Sequence, residues 1–173
     1  MIIRKMTPSD VPQVAAIEAQ CFSLPWSEQG FLDSISREDT IFLVAEMDEE
    51  ETLLAFDDEM PQTQVKSNQL DVDPERSATI AGYIGMYTSY GEGEITNVAV
   101  SKECRKQGIG NALVEAMKSA GREIQLETIL LEVRVSNERA LSLYKGNGFI
   151  ELGIRKNFYE QPTEDAIIMS CGL

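Results

Sequence analysis

The chain has 173 residues, 43% of them hydrophobic and 25% charged, which fits one soluble domain around one sizeable core. Histidine is absent and the three cysteines, Cys21, Cys104 and Cys171, are widely spaced, which excludes His-based triads, His-ligated metals, a disulfide framework and a thiolate zinc site. A net charge of −14 opposes nucleic-acid or anionic-membrane binding and favours a basic partner.

No apolar run approaches the roughly 20 residues of a membrane helix. The charges of Met1 to Pro8 have no long apolar region behind them, so a cytoplasmic location is expected.

Met1 to Met6 reads as a short edge strand. Thr7-Pro8-Ser9-Asp10 is a helix-start cluster, and Val11, Val14, Ala15 and Ile17 continue it as an apolar stripe to about Phe22. Ser23-Leu24-Pro25-Trp26 breaks that helix. Ser27 starts a second one that turns Phe31, Leu32 and Ile35 inward. Thr40 to Met47 is a strand.

Residues 48 to 77 differ in composition. Ten acidic side chains face only Lys66 and Arg76, and Pro61 and Pro74 interrupt the segment, so a solvated acidic insertion is expected there. Asp71 and Asp73 are followed by Pro74, Glu75 and Arg76 where a calcium loop needs another ligand and a glycine, so no metal is expected.

Ile80 to Ser89 and Glu94 to Val100 read as strands joined by a turn at Tyr90-Gly91-Glu92-Gly93. Gly108 to Gln125 is helical, with Ile109, Leu113 and Met117 on one stripe and Ala112, Ala116 and Ala120 beside it. Thr128 to Val135 is an apolar strand. Asn137 caps a short helix through Lys145 that Gly146-Asn147-Gly148 ends. Phe149 to Asn157 and Asp165 to Cys171 close the chain as strands. The order β, α, α, β, β, β, α, β, α, β, β predicts an α/β fold on a mixed sheet, hairpin-rich first and crossover-rich later.

Two places carry chemistry. Arg105-Lys106-Gln107-Gly108-Ile109-Gly110 follows the strand ending at Val100 and opens a helix. The first helical N–H groups lack internal partners, the helix dipole is positive there, and glycines admit a pyrophosphate to the backbone. Asn111 after Gly110 breaks the Walker pattern, and Leu113 breaks the dinucleotide fingerprint. A helix start with convenient glycines is the plainer alternative.

The second place is Glu132, on the strand face of Thr128, Leu130 and Arg134 and opposite Ile129, Leu131, Val133 and Val135. Either it pairs with Arg134 on a half-exposed strand, or it serves as a general base whose pKa burial raises. Tyr144 is either a core tyrosine or a proton donor. Asn137 is at least a helix cap. Cys104, near the turn but with no base nearby, is set aside as a nucleophile.

The string Arg-x-x-Gly-x-Gly after an apolar strand resembles the acetyl-CoA motif of the GNAT acetyltransferase family. The resemblance implies that the N–H groups of Lys106 to Asn111, including Gln107, Gly108, Ile109 and Gly110, hold the CoA pyrophosphate beside Arg105. It implies that Val98, Ala99 and Val100 pair with the pantetheine arm, an N–H near Val98 polarising the acetyl carbonyl, and that Asn137 also contacts CoA. Leu131 to Asn137, then Ala140, Leu143-Tyr144 and Gly148-Phe149, resemble the branch of the family that acetylates the N-terminal alanine of a small-subunit ribosomal protein. Leu24 to Glu28, Arg155 to Tyr159 and Glu164 to Met169 agree with it.

The implied fold is a single GNAT domain, residues 1–173, whose central strands splay apart, with acetyl-CoA as cosubstrate and no metal. Glu132 would act as base and Tyr144 as acid, the amine attacking directly in a ternary complex. A basic ribosomal-protein N-terminus would enter between Leu24, Pro25 and Trp26 and the loop from Asn157 to Pro162, with Tyr159. A polyamine, an antibiotic amine or a lysine as acceptor, or a non-catalytic acetyl-CoA-binding module, are the alternatives. The sequence specifies no oligomeric state.

Overall fold

The computed structural model describes residues 1–47 and 79–173. The acidic insertion expected at 48 to 77 lies outside the described residues. Strands β1 (Ile2–Lys5), β2 (Thr40–Met47), β3 (Thr79–Ser89), β4 (Glu92–Val100), β5 (Thr128–Arg134), β6 (Ile150–Glu160) and β7 (Thr163–Gly172) form one sheet in the order β1-β2-β3-β4-β5-β7-β6. Helices α1 (Val11–Cys21), α2 (Glu28–Ile35), α3 (Ile109–Glu123) and α4 (Glu138–Gly146) complete the expected element order.

Helices cover both faces. On one, Ile109, Leu113, Val114 and Met117 of α3 bury against Ile84, Met86, Ile95, Ile129 and Leu131. Val114 joins the stripe, while Ala112, Ala116 and Ala120 are only half-buried. On the other face, Val11, Val14 and Ile17 of α1 and Phe31 of α2 pack on Phe42, Val44 and Tyr83. Phe31 meets Tyr83 edge-on at 5.4 Å between ring centres.

Every neighbouring strand pair is antiparallel except β4 and β5, and that exception makes the site. The parallel ladder runs from Glu92 opposite Thr128 to Ile95 opposite Leu131 and then stops. Beyond it, Asn97 to Val100 stay bonded to β3, and Glu132 to Arg134 stay bonded to β7. An irregularity between Gly85 and Met86 shifts the β3–β4 register opposite Thr96, and such bulges bend a strand away from its neighbour. The central strands splay as expected, opening a cleft between the second half of β4 and the end of β5.

Two boundaries differ from expectation. The hairpin turn is only Tyr90-Gly91, both at positive φ, and Glu92-Gly93 already belong to β4. The expected loop from Asn157 to Pro162 is mostly strand: β6 runs to Glu160, and Gln161-Pro162 alone link it to β7. Asn157 sits within β6 at a φ of 52°, where the register shifts, and its N–H donates to Asp165 Oδ1 at 2.9 Å.

Candidate active site

At the start of α3, Lys106 (φ 67°) and Gly108 (φ 80°) both adopt the left-handed backbone, which bends the chain sharply from β4 into the helix. The first helical bond runs from the Ala112 N–H to the Gly108 carbonyl at 3.0 Å, so the N–H groups from Gly108 to Asn111 have no helical carbonyl to meet. Arg105 braces the bend: its Nε donates to the Val100 carbonyl at 3.1 Å, and Nη2 lies 3.3 Å from Cys21 Sγ.

A cavity of about 540 Å³ opens over this turn. Of the residues expected to hold the cofactor, Val98, Ala99, Val100, Arg105, Lys106, Gly108, Ile109, Gly110, Asn111 and Asn137 line it, whereas Gln107 does not. Arg139 and Leu143 of α4 also line it, and of these Arg139 was not singled out in the sequence.

A second cavity, about 730 Å³, lies on the α1–α2 side of the splay. Glu132, Tyr144, Leu24, Trp26 and Tyr159 line it, together with Glu18, Glu94 and Asn97, which sequence reasoning missed. Pro25 and Asn157, expected at the acceptor, are outside this lining. Both cavities include Val98 and Tyr144, so the two meet at the splay.

Their charges are sorted. The cavity over α3 is lined by Arg105, Lys106 and Arg139 and by no carboxylate. The other is lined by Glu18, Glu94, Glu132 and Glu160 against Arg134. In a chain of net charge −14, one pocket therefore suits an anion and the other an ammonium.

Glu132 does not pair with Arg134. Its Oε1 is 2.9 Å from Arg155 Nη1 on β6. Arg134 instead reaches Glu164 at 2.9 Å and the Gln161 and Pro162 carbonyls, each at 3.0 Å, and its guanidinium lies 4.1 Å from the Tyr159 ring centre. Each side chain finds a nearer partner on the β6–β7 hairpin than its strand neighbour. Burial and the nearby Glu94 carboxylate raise the Glu132 pKa above the usual carboxylate range, with Arg155 opposing them.

The Tyr159 hydroxyl donates to the Glu132 carbonyl at 3.1 Å, fastening the hairpin to β5. Tyr144 is buried, its ring 5.7 Å from that of Phe149, and burial raises its hydroxyl pKa with Tyr159 adding to the rise. It is thus a core tyrosine that also lines both cavities. The Asn137 Oδ1 accepts the Ala140 N–H at 3.2 Å, the expected cap of α4, and Asn137 faces both cavities as well.

Comparisons with known proteins agree with this geometry. Residues 11–149 match the model of the Acetyltransferase (GNAT) family. The [ribosomal protein bS18]-alanine N-acetyltransferase of Escherichia coli strain K12 is 30% identical, over 97% of this chain and 95% of that protein. An N-alpha-acetyltransferase of Sulfurisphaera tokodaii is 30% identical, over 99% of this chain and 92% of its own length. The crystal structure of the ribosomal-protein-S18-alanine N-acetyltransferase from Escherichia coli superposes with a TM-score of 0.74 at 26% identity, covering 99% of this chain and 92% of that one. The chain belongs to the GNAT family and is an acetyl-CoA-dependent N-acetyltransferase.

Proposed function

We propose that this enzyme acetylates a protein N-terminus, and specifically the N-terminal alanine of the small-subunit ribosomal protein bS18. The observation that carries the reading is the meeting, at Val98 and Tyr144, of a basic cavity over a helix N-terminus with an acidic cavity holding Glu132. The likeness to the Escherichia coli relative along nearly its whole length supports that ribosomal N-terminus as the acceptor. The chain is then one catalytic domain with the acidic segment 48–77 set into it, working in the cytoplasm.

The residues present suit acetyl-CoA. The free N–H groups at the start of α3, with Lys106 beside them, would hold the pyrophosphate, and Arg105 fixes the turn's shape. Val98 to Val100 have lost their β5 neighbour and would take an extended arm along that open edge. When bound, acetyl-CoA supplies an activated acetyl thioester.

The chain's own groups do the rest. The acidic lining draws in a cationic N-terminus. Glu132 Oε takes the ammonium proton, directly or through a water, so that the neutral nitrogen can attack. An α-amino group has a pKa of about 8, and the raised pKa of Glu132 narrows the gap between base and acid. The Tyr144 hydroxyl, held neutral by burial, delivers a proton to the leaving sulfur. Leu24, Trp26 and Tyr159 flank the incoming peptide.

Release of CoA with four acceptors tests this: a peptide copying the bS18 N-terminus, the same peptide with its α-amine blocked, a lysine derivative and a polyamine. Turnover of the free-amine peptide alone is expected. Equal turnover of the blocked peptide would move the acceptor to a side-chain amine.

A further inference from the structure

Helix α1 carries one carboxylate into the apolar interior. Glu18 is fully buried, four residues after Val14 and seven after Val11, on the helix face that meets the sheet. A buried carboxylate is costly unless donors satisfy it. Glu18 has three, each from a different element: the Tyr83 hydroxyl on β3, Asn97 Nδ2 on β4 at 3.0 Å, and the Trp26 backbone N–H at 3.2 Å. Burial raises its pKa above the usual carboxylate range, against the lowering effect of those donors.

This network is attached to the acceptor side only. Glu18, Trp26 and Asn97 line the acidic cavity, and none of the three lines the basic one. Asn97 directly precedes Val98, at the junction of the cavities. Its Oδ1 is the only buried side-chain nitrogen or oxygen among the described residues that lacks a partner, so the hydrogen-bond chain ends at Asn97. At the other end of the segment joining α1 and α2, the Ser23 hydroxyl donates to the Gln161 carbonyl in the β6–β7 turn. The segment from Phe22 to Ser27 thus runs between two anchors, Glu18 within and Gln161 without.

We propose that Glu18 is a positioning residue for the acceptor: through Trp26 and Asn97 it fixes the wall and floor against which the incoming peptide seats, and it takes no part in proton transfer. The inference rests on the assignment of the acidic cavity to the acceptor.

Three variants test it. Glu18→Gln keeps an acceptor oxygen for Trp26 and Asn97, and its amide can donate to the Tyr83 hydroxyl, which is both donor and acceptor. It is expected to keep kcat and KM for acetyl-CoA within about threefold of wild type and to raise KM for the peptide less than Glu18→Ala does. Glu18→Ala removes all three bonds. It is expected to raise KM for the peptide by roughly tenfold or more, with kcat and KM for acetyl-CoA little changed. It should also shift the fluorescence of Trp26, the chain's single tryptophan. Tyr83→Phe deletes one donor while keeping the ring on Phe31, and a smaller rise in peptide KM is expected, which holds the test open should Glu18→Ala fold poorly.

An unchanged peptide KM in both Glu18→Ala and Tyr83→Phe overturns the proposal. So does a kcat in Glu18→Gln that falls as far as in Glu132→Gln, since Glu18 would then move protons. A wild-type enzyme inactive on the peptide sinks the acceptor assignment and this inference together, a result distinct from active enzyme with unmoved KM.

Discussion

Among the described residues Arg155 is the one cation within ion-pair distance of Glu132, and replacing it probes the proposed base. In Arg155→Met the unbranched stem can still lie against Phe158, whose ring the guanidinium now covers at 5.1 Å, but the charge is gone. Arg155 is 53% exposed at its side chain while Glu132 is 13% exposed, so the pair is screened on one side. Two unit charges near 4 Å are worth about 1 kcal/mol in water, and 1.36 kcal/mol corresponds to about one pH unit. Losing the cation disfavours the carboxylate, so the Glu132 pKa rises further.

The acidic limb of the kcat/KM profile should therefore move up by roughly half to one pH unit. The assay is CoA release with the alanine peptide from about pH 5 to 9, run side by side for both enzymes. The amine titrates identically in the two series, so the difference belongs to the enzyme. A limb that stays in place, or moves to lower pH, refutes Glu132 as the titrating base.

Gly108→Ala places a side chain at a φ of 80° in otherwise open space, so the cost is conformational, about 1–2 kcal/mol by thermal or urea unfolding. The same variant should bind acetyl-CoA more weakly by calorimetry, and unchanged affinity would detach the turn from the cofactor. Phe31→Ala empties the ring cluster on the α1–α2 face and should cost about 3–5 kcal/mol in urea unfolding; a loss under ~1 kcal/mol would contradict the packing described. Burial alone would raise the Asp10 pKa, but paired hydrogen bonds from Arg4 at 2.7 and 2.8 Å, with two more from Thr7, outweigh it and hold the carboxyl below its usual range. Its stabilising contribution is full above the unfolded carboxylate pKa and is lost as pH falls through the lower folded value. Asp10→Asn should thus destabilise at pH 7 and converge on wild type in acid, a gap that stability curves against pH would display.

The glycine turn before α3 was legible because its signals are local: a strand, two glycines and a helix start within a few residues. The splay was implied only by family resemblance, since no residue pattern states where a parallel ladder stops. Glu132 stood out as the polar residue in an apolar strand, with a pair to Arg134 as one of its two readings, and the fold does not make that pair. The reason is physical: residues two apart share a strand face, but Arg155 and Glu164 arrive from the hairpin across the sheet and pair more closely.

Glu18 and Asn97 had a signal that went unused. Positions 11, 14 and 18 follow the helical period, and 95, 97 and 99 alternate along β4, so each polar residue sits in phase with buried neighbours. A polar residue in an apolar register points to a buried network, although its partners, separated by up to 79 residues, are visible only in the fold. The segment from Asn157 to Pro162 differs in conformation rather than in place. Expected as a loop, it is mostly irregular strand; Phe158 to Pro162 line the acidic cavity, while the Asn157 N–H goes to Asp165.

The central claim is that Glu132 and Tyr144 move the protons of an N-terminal acetylation. The measurement is single-enzyme turnover of the bS18-like peptide by wild type, Glu132→Gln and Tyr144→Phe, with acetyl-CoA binding checked for each. Robust wild-type turnover is predicted, with a fall in kcat of roughly a hundredfold or more for at least one variant and cofactor affinity preserved. Wild-type rates in both variants, or a wild-type enzyme that binds acetyl-CoA and leaves the peptide unmodified, would contradict it.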